Sequence, residues 1–150
     1  MTKETECKPS VGCESAAVHS YLNILQSVIN RMASNCAGCK TWCITLVSAI
    51  IVVLLNNNKC EFIYIALAPT ILFLLLDSYY LAMEKSFRDK YNSFIEKLHS
   101  DRAFKSDLFV VSPEKAVNSF LILNSFKSIS VWPFYVALIA VIIVIRNVLI

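Results

Sequence analysis

The sequence predicts an all-α membrane protein: three transmembrane helices, a long helical cytoplasmic extension of the second span, and an amphipathic N-terminal helix. Three observations carry this prediction. The 150 residues are 57% hydrophobic with a mean hydropathy of +0.60 and only two glycines, above the apolar share of a soluble domain. Three stretches approach the roughly 20 apolar residues that a hydrocarbon core of about 30 Å requires. The second stretch does not stop at a charge but continues at helical periodicity. The length is that of one domain, so residues 1–150 are read as a single membrane domain.

The chain opens with a polar tail that holds Pro9 and Gly12, read as mobile. From Glu14 onward, Val18, Tyr21, Leu22, Leu25, Val28, Ile29 and Met32 recur at the spacing of one helical face. This helix leads into span one, residues 41–58, which carries no charge and extends inward through the small residues Ala33, Ala37 and Gly38. The run Asn56-Asn57-Asn58-Lys59-Cys60-Glu61 is short enough only for a turn, so spans one and two form an antiparallel hairpin. Span two, residues 62–83, contains a single charge, Asp77, and span three, residues 129–150, is interrupted only by Arg146.

Orientation follows from the flanking cations. Lys3, Lys8, Arg31 and Lys40 precede span one, eight Lys and Arg residues separate spans two and three, and the hairpin turn holds only Lys59. Segments 1–40 and 84–128 are therefore expected in the cytoplasm, with the C-terminus outside and Arg146 snorkelling near the outer end. Trp42, Trp132, Tyr79 and Tyr80 mark the inner boundary, where aromatic belts form.

Beyond span two, Phe73, Tyr80, Phe87 and Phe94 recur every seventh residue, and Asp77, Glu84, Tyr91 and Leu98 occupy the interleaved position. That alternation is a coiled-coil seam, which needs a second helix to close it. Asp77 has no cation within reach on its own helix: Arg88 lies eleven residues on, about 16 Å away. It is expected either to be hydrated at the headgroup layer or to meet a partner from another helix or another copy. Glu84 and Arg88, four apart, form a surface pair. The oligomer seam is thus assigned to Phe73, Asp77, Tyr80, Glu84, Phe87, Arg88, Tyr91 and Phe94.

After His99 comes a polar connection, then the short apolar run Leu108-Phe109-Val110-Val111. Ser112-Pro113-Glu114 starts a helix to about Phe126 with Val117, Phe120, Leu121 and Asn124 on its buried face. Ser130-Val131-Trp132-Pro133 starts span three.

Little points to chemistry. Cys36, Cys39 and Cys43 lack the second Cys pair of a zinc site and the His of a haem-attachment motif; they are read as small residues at a helix contact. Cys7 and Cys13 are expected as reduced thiols inside, and Cys60 faces outward where it could cross-link two copies. His19 and His99 are read as surface residues. No phosphate loop, nucleophile elbow or metal-ligand motif is present, so no enzyme activity, cofactor or metal is expected. With eight basic and six acidic residues, the segment from Glu84 to Lys127 lacks the basic stripe of a nucleic-acid surface.

The run Leu76-Asp77-Ser78-Tyr79-Tyr80-Leu81-x-x-Glu84-x-x-Phe87-Arg88-x-x-Tyr91 resembles the RipA-like family of small octameric three-span bacterial membrane proteins. That family includes the membrane protein associated with some RNA-targeting CRISPR systems. Cys39–Leu46 and Ser128–Tyr135, at the starts of spans one and three, resemble it too, whereas the cysteine pair Cys36 and Cys39 departs from its pattern. The resemblance implies a homo-oligomeric ring in the bacterial inner membrane, an octamer in that family. It also implies a role in permeability, stress response or anti-phage defence. The expected function is therefore an oligomeric membrane protein that forms or regulates a pore. Alternatives are an anchor that recruits a cytoplasmic partner, or a small lipid-modifying enzyme with Asp77, Glu84 and Tyr80 at the headgroup.

Overall fold

The computed structural model describes residues 15–57, 60–113 and 119–149, with side chains throughout except at 60, 119, 120 and 149. The N-terminal tail with Cys7 and Cys13, Lys59 in the turn, Glu114 and Val117, and the side chains of Cys60 and Phe120 lie outside the described residues. Every regular element described is helical, in the order α1 (Ala16–Asn56), a 3-10 segment (Cys60–Ala66), α2 (Leu67–His99), a 3-10 turn (Lys105–Asp107), α3 (Ser119–Phe126) and α4 (Trp132–Leu149). Two stretches, Ala16–Asn56 and Glu61–His99, are long and apolar enough to cross a membrane. Helix α4 is apolar but shorter, and it starts three residues later than the expected third span.

The amphipathic N-terminal helix and span one are a single 41-residue helix, about 62 Å long at 1.5 Å per residue. No proline interrupts it. Ser15 caps its start, its hydroxyl accepting the Val18 amide at 3.3 Å. The second span does not begin as an α-helix as expected. Pro69 has no amide to give the carbonyl four residues back, and its ring crowds that carbonyl. The chain therefore runs as a 3-10 helix to Ala66 and turns α-helical at Leu67, which leaves Pro69 within the first turn, where it is tolerated.

Helix α2 ends in a complete Schellman motif. The Arg102 amide donates to the Lys97 carbonyl at 2.9 Å and the Asp101 amide to Leu98 at 3.3 Å, with Asp101 left-handed at φ 53. The end of α3 corrects one expectation, since Asn124 is exposed and Ser125 is buried instead. That places the inward face one residue further along the helix.

The chain divides into two compact units, each drawn from both halves of the sequence. The first comprises Met1–Asn30 and Glu84–Ala116. Its core is Val18, Tyr21, Leu25 and Ile29 of α1 with Phe87, Phe94 and Leu98 of α2. The Tyr21 and Phe94 rings meet edge to face at 4.9 Å, and Phe109 adds a third ring 6.1 Å from Tyr21. The Tyr21 hydroxyl donates to the Val110 carbonyl at 2.9 Å, so the loop after α2 is pinned onto α1. His19 and His99 are exposed, as expected.

The second unit comprises Arg31–Met83 and Val117–Ile150. Its core gathers Cys43, Val47 and Ile51 of α1, Ile63 and Ala66 of the 3-10 segment, and Val131, Tyr135 and Ile142 around α4. The outward side chains here are themselves large and apolar, among them Trp42, Val53, Phe62, Leu72, Leu75 and Val144. Packing is antiparallel. Cys43 sits beside Thr70, and Lys40 beside Asp77, so descending α1 means ascending α2. Likewise Arg146 of α4 donates to the Tyr64 hydroxyl and lies over its ring, 4.6 Å from the centroid, while Tyr135 reaches Phe73. Arg146 thus has an aromatic partner near the end of α4.

Candidate functional site: a polar node among apolar helices

The second unit places a charged pair where its sequence offers mostly hydrocarbon. Asp77 lies on the face of α2 that meets α1, directly after an apolar Leu74-Leu75-Leu76 run, and is 0% exposed. Its carboxylate meets the Lys40 ammonium of α1 at 2.7 Å, and the Lys40 side chain keeps 22% of its surface open. Neither carboxylate oxygen has a hydrogen-bond partner among the described residues. The contact is therefore a charge pair without an aligned N–H···O bond. Its mutual attraction is strong in a low-dielectric surround, and so is the cost of desolvating both ions.

Around this pair the three helices supply small and polar groups. On α1, Cys36, Cys39 and Cys43 are all buried and none forms a disulfide. They occupy the helix contact to which the sequence assigned them. The Cys36 thiol donates weakly to the backbone carbonyl of Asp77 at 3.8 Å. On α2, Thr70 and Ser78 are buried, and their hydroxyls turn back to the carbonyls of Ala66 and Leu74 at 2.8 Å each. On α4, Tyr135 donates its one hydroxyl proton to the Phe73 carbonyl at 3.1 Å. The same hydroxyl lies near the Asp77 carboxylate. Among the described residues, no group of three His, Cys, Asp or Glu side chains could hold a metal ion.

The seam residues separate into two sets. Asp77, Glu84, Phe87 and Phe94 are buried; Phe73, Tyr80 and Tyr91 are half-buried; Arg88 is exposed. The inward face of α2 is thus the one that the heptad spacing marks. Part of its cover comes from α1 of the same chain. Asp77 meets a cation from another helix, one of the expected alternatives: Lys40 of α1. Phe94 is covered by Tyr21 of the same chain. Glu84 and Arg88 pair at 2.8 Å along the helix, as expected.

Lys40 and Tyr135 are the site residues that spacing along α2 could not reveal. Lys40 entered only as a flanking charge and Tyr135 only as part of an aromatic border. A signal for Lys40 existed, however. In an antiparallel hairpin, residues equidistant from the turn face each other, and Lys40 lies 18 residues before position 58 while Asp77 lies 19 after it. Tyr135 had no such signal, since nothing in the sequence sets the register of α4 against α2.

No family model, curated protein or solved structure matches this chain.

Proposed function

We propose that the chain is a three-span protein of the bacterial inner membrane, with its N-terminus cytoplasmic and its C-terminus periplasmic. In this reading it assembles with copies of itself to form or regulate a pore. The observation that carries the membrane part is the polarity of the second unit. Trp42, Val53, Leu72 and Val144 face outward while Asp77, Thr70 and Ser78 are enclosed, an arrangement that suits hydrocarbon as solvent. Because Lys40 occupies Asp77, contact between copies falls on other faces. One such face is the open groove beside Gly38, where a Cβ would meet nothing within 4 Å and a neighbouring helix can approach closely. The Lys40–Asp77 pair then acts as a latch between spans one and two, a two-state contact that a signal from the cytoplasmic segments would bias. The stress and defence roles rest on the family resemblance alone.

The test is the stoichiometry of the detergent-solubilised protein together with ion flux through liposomes that contain it. An oligomer with flux that rises when Lys40→Met breaks the latch supports the reading. A monomer in ion-tight liposomes overturns the pore.

A second reading, a membrane anchor for a cytoplasmic partner, is favoured by the loop after α2. Phe109, Val110 and Val111 are exposed there, and Phe109 is held at φ 63, a strained conformation for a bulky residue. Stoichiometric capture of one partner, lost on replacing Phe109 and Val111 with Ser, distinguishes it from the pore.

A further inference from the structure

The first unit contains a cleft that neither the latch nor the aromatic core uses. It lies between α1 and α2, encloses about 290 Å³, and is lined by Gln26, Ile29, Arg88, Tyr91 and Asn92. Its lining is unlike the rest of that helix contact, being mostly polar, with one charged member, a cation. We propose that this cleft binds a phosphate monoester.

The argument begins with Arg88. Its guanidinium is anchored by Glu84, which meets one terminal nitrogen at 2.8 Å, yet its side chain remains 61% exposed. A guanidinium offers five N–H donors in a planar fork, so holding it from one side fixes the plane and leaves other donors for a ligand. Such a fork matches two oxygens of a phosphate, and the ordering entropy has already been met by the Glu84 contact. The neighbouring side chains complement the same chemistry. Asn92 and Tyr91 each carry donors suited to the remaining phosphate oxygens, and Gln26, whose amide nitrogen gives one proton to Asn30 at 3.3 Å, has a second N–H to offer. Ile29 supplies an apolar floor, and with Tyr91 it suits the carbon skeleton of an ester rather than a bare ion. None of the five is a carboxylate, and an acid beside them, Glu84, faces Arg88 at 2.8 Å.

A phosphate monoester could come from a soluble metabolite or from the headgroup of an anionic lipid, and the experiment separates these sources. The full-length protein is placed in nanodiscs of phosphatidylcholine and titrated with glycerol 3-phosphate, and separately placed in nanodiscs containing phosphatidic acid. Saturable binding of glycerol 3-phosphate, weakened about tenfold or more by Arg88→Gln and by Asn92→Asp, is the expected result for a soluble ligand. Arg146→Gln, outside the cleft, serves as the unaffected control. If instead phosphatidic acid protects the cleft amides from hydrogen exchange, and Arg88→Gln removes that protection, the ligand is a lipid headgroup. No saturable binding in either arm overturns the proposal. So does binding that Arg88→Gln and Asn92→Asp leave unchanged while both variants melt like the parent protein. The outcome is independent of ion flux, so a protein that binds phosphate but forms no pore, or the reverse, is read without ambiguity.

Discussion

In the unit made of Arg31–Met83 and Val117–Ile150, the enclosed side chains include Asp77, Thr70 and Ser78, and the outward ones include Leu72, Val53 and Trp42. In the unit made of Met1–Asn30 and Glu84–Ala116, the enclosed ones are Tyr21, Leu25, Phe87 and Phe94, and the outward ones include Lys85, Arg88, Glu96 and Arg102. The same two helices, α1 and α2, build both. The two units therefore differ in what they turn outward, large apolar side chains in one and charged ones in the other, while both cores are mainly apolar and each encloses a carboxylate, Asp77 in one and Glu84 in the other. That difference in outward side chains is what the proposed membrane reading requires of the second unit and not of the first. It also makes energetic claims, because a polar contact gains or loses most where its surroundings are least like water.

The largest expected effect breaks the buried pair of the second unit. Lys40→Met leaves the 0%-exposed Asp77 carboxylate without a counter-charge, and the expected loss is about 3–5 kcal/mol, the usual cost of stripping one partner from a buried pair. Asp77→Leu should cost less, because Lys40 keeps part of its side chain open and can redirect its ammonium outward. The double variant Lys40→Met with Asp77→Leu should recover most of the loss. Thermal unfolding in nanodiscs reads all three. If the two single variants prove equally mild, the pair is hydrated and the second unit is not enclosed as described.

An intermediate comparison uses one substitution in both units. Tyr135 and Tyr21 each donate to a backbone carbonyl, at 3.1 and 2.9 Å, so Tyr→Phe removes one hydrogen bond in each, worth about 1 kcal/mol. The consequences should differ in extent. Tyr135→Phe frees a carbonyl between two packed helices and should raise amide exchange only near Phe73. Tyr21→Phe unpins the loop, and exchange and proteolytic cleavage should rise across residues 101–112. Cleavage confined to the helices would show that the aromatic stack, rather than the hydroxyl, holds the loop.

How much of this was legible in the sequence depends on whether a feature is local. The continuous α1, the inward face of α2, the Glu84–Arg88 pair and the packing role of Cys36, Cys39 and Cys43 all follow from spacings of three, four and seven, which are properties of one helix. The 3-10 start of the second span is local too, being set by Pro69. Heptad spacing, by contrast, names a face and not its occupant. Asp77 and Phe94 require a second helix, and Lys40 and Tyr21 of α1, 37 and 73 residues away, supply it. The Lys40 contact could have been found by reflecting the chain about its hairpin turn. Tyr135 depends on tertiary register, and no local rule supplies that.

A smaller effect concerns the end of α2, where Asp101 holds the left-handed position that glycine fills without a Cβ penalty. Asp101→Gly should stabilise the first unit by about 0.5 kcal/mol, read as a small rise in the unfolding midpoint with the Schellman hydrogen bonds retained.

The smallest expected effect, a dependence on salt, sharpens the comparison most. Glu84–Arg88 and Lys40–Asp77 have nearly the same separation, 2.8 and 2.7 Å, so distance alone predicts equal strength. Environment predicts otherwise. Arg88 is mostly exposed, water screens its charge, and both side chains lose rotamer freedom to form the contact. Glu84, mostly buried, can still turn toward water along the exposed Arg88 side, so Arg88→Ala should cost about 1 kcal/mol, well below the Lys40→Met effect, and the cost should shrink as salt is raised from low ionic strength to about 0.5 M, where the screening length falls below 5 Å. The Lys40→Met cost should hardly change over the same range, since few ions reach an enclosed carboxylate. A double series of unfolding midpoints against salt reads both slopes. Parallel slopes would mean that the two pairs share one solvent, and with that the division of α1 and α2 into an apolar-faced and a water-faced half would fail.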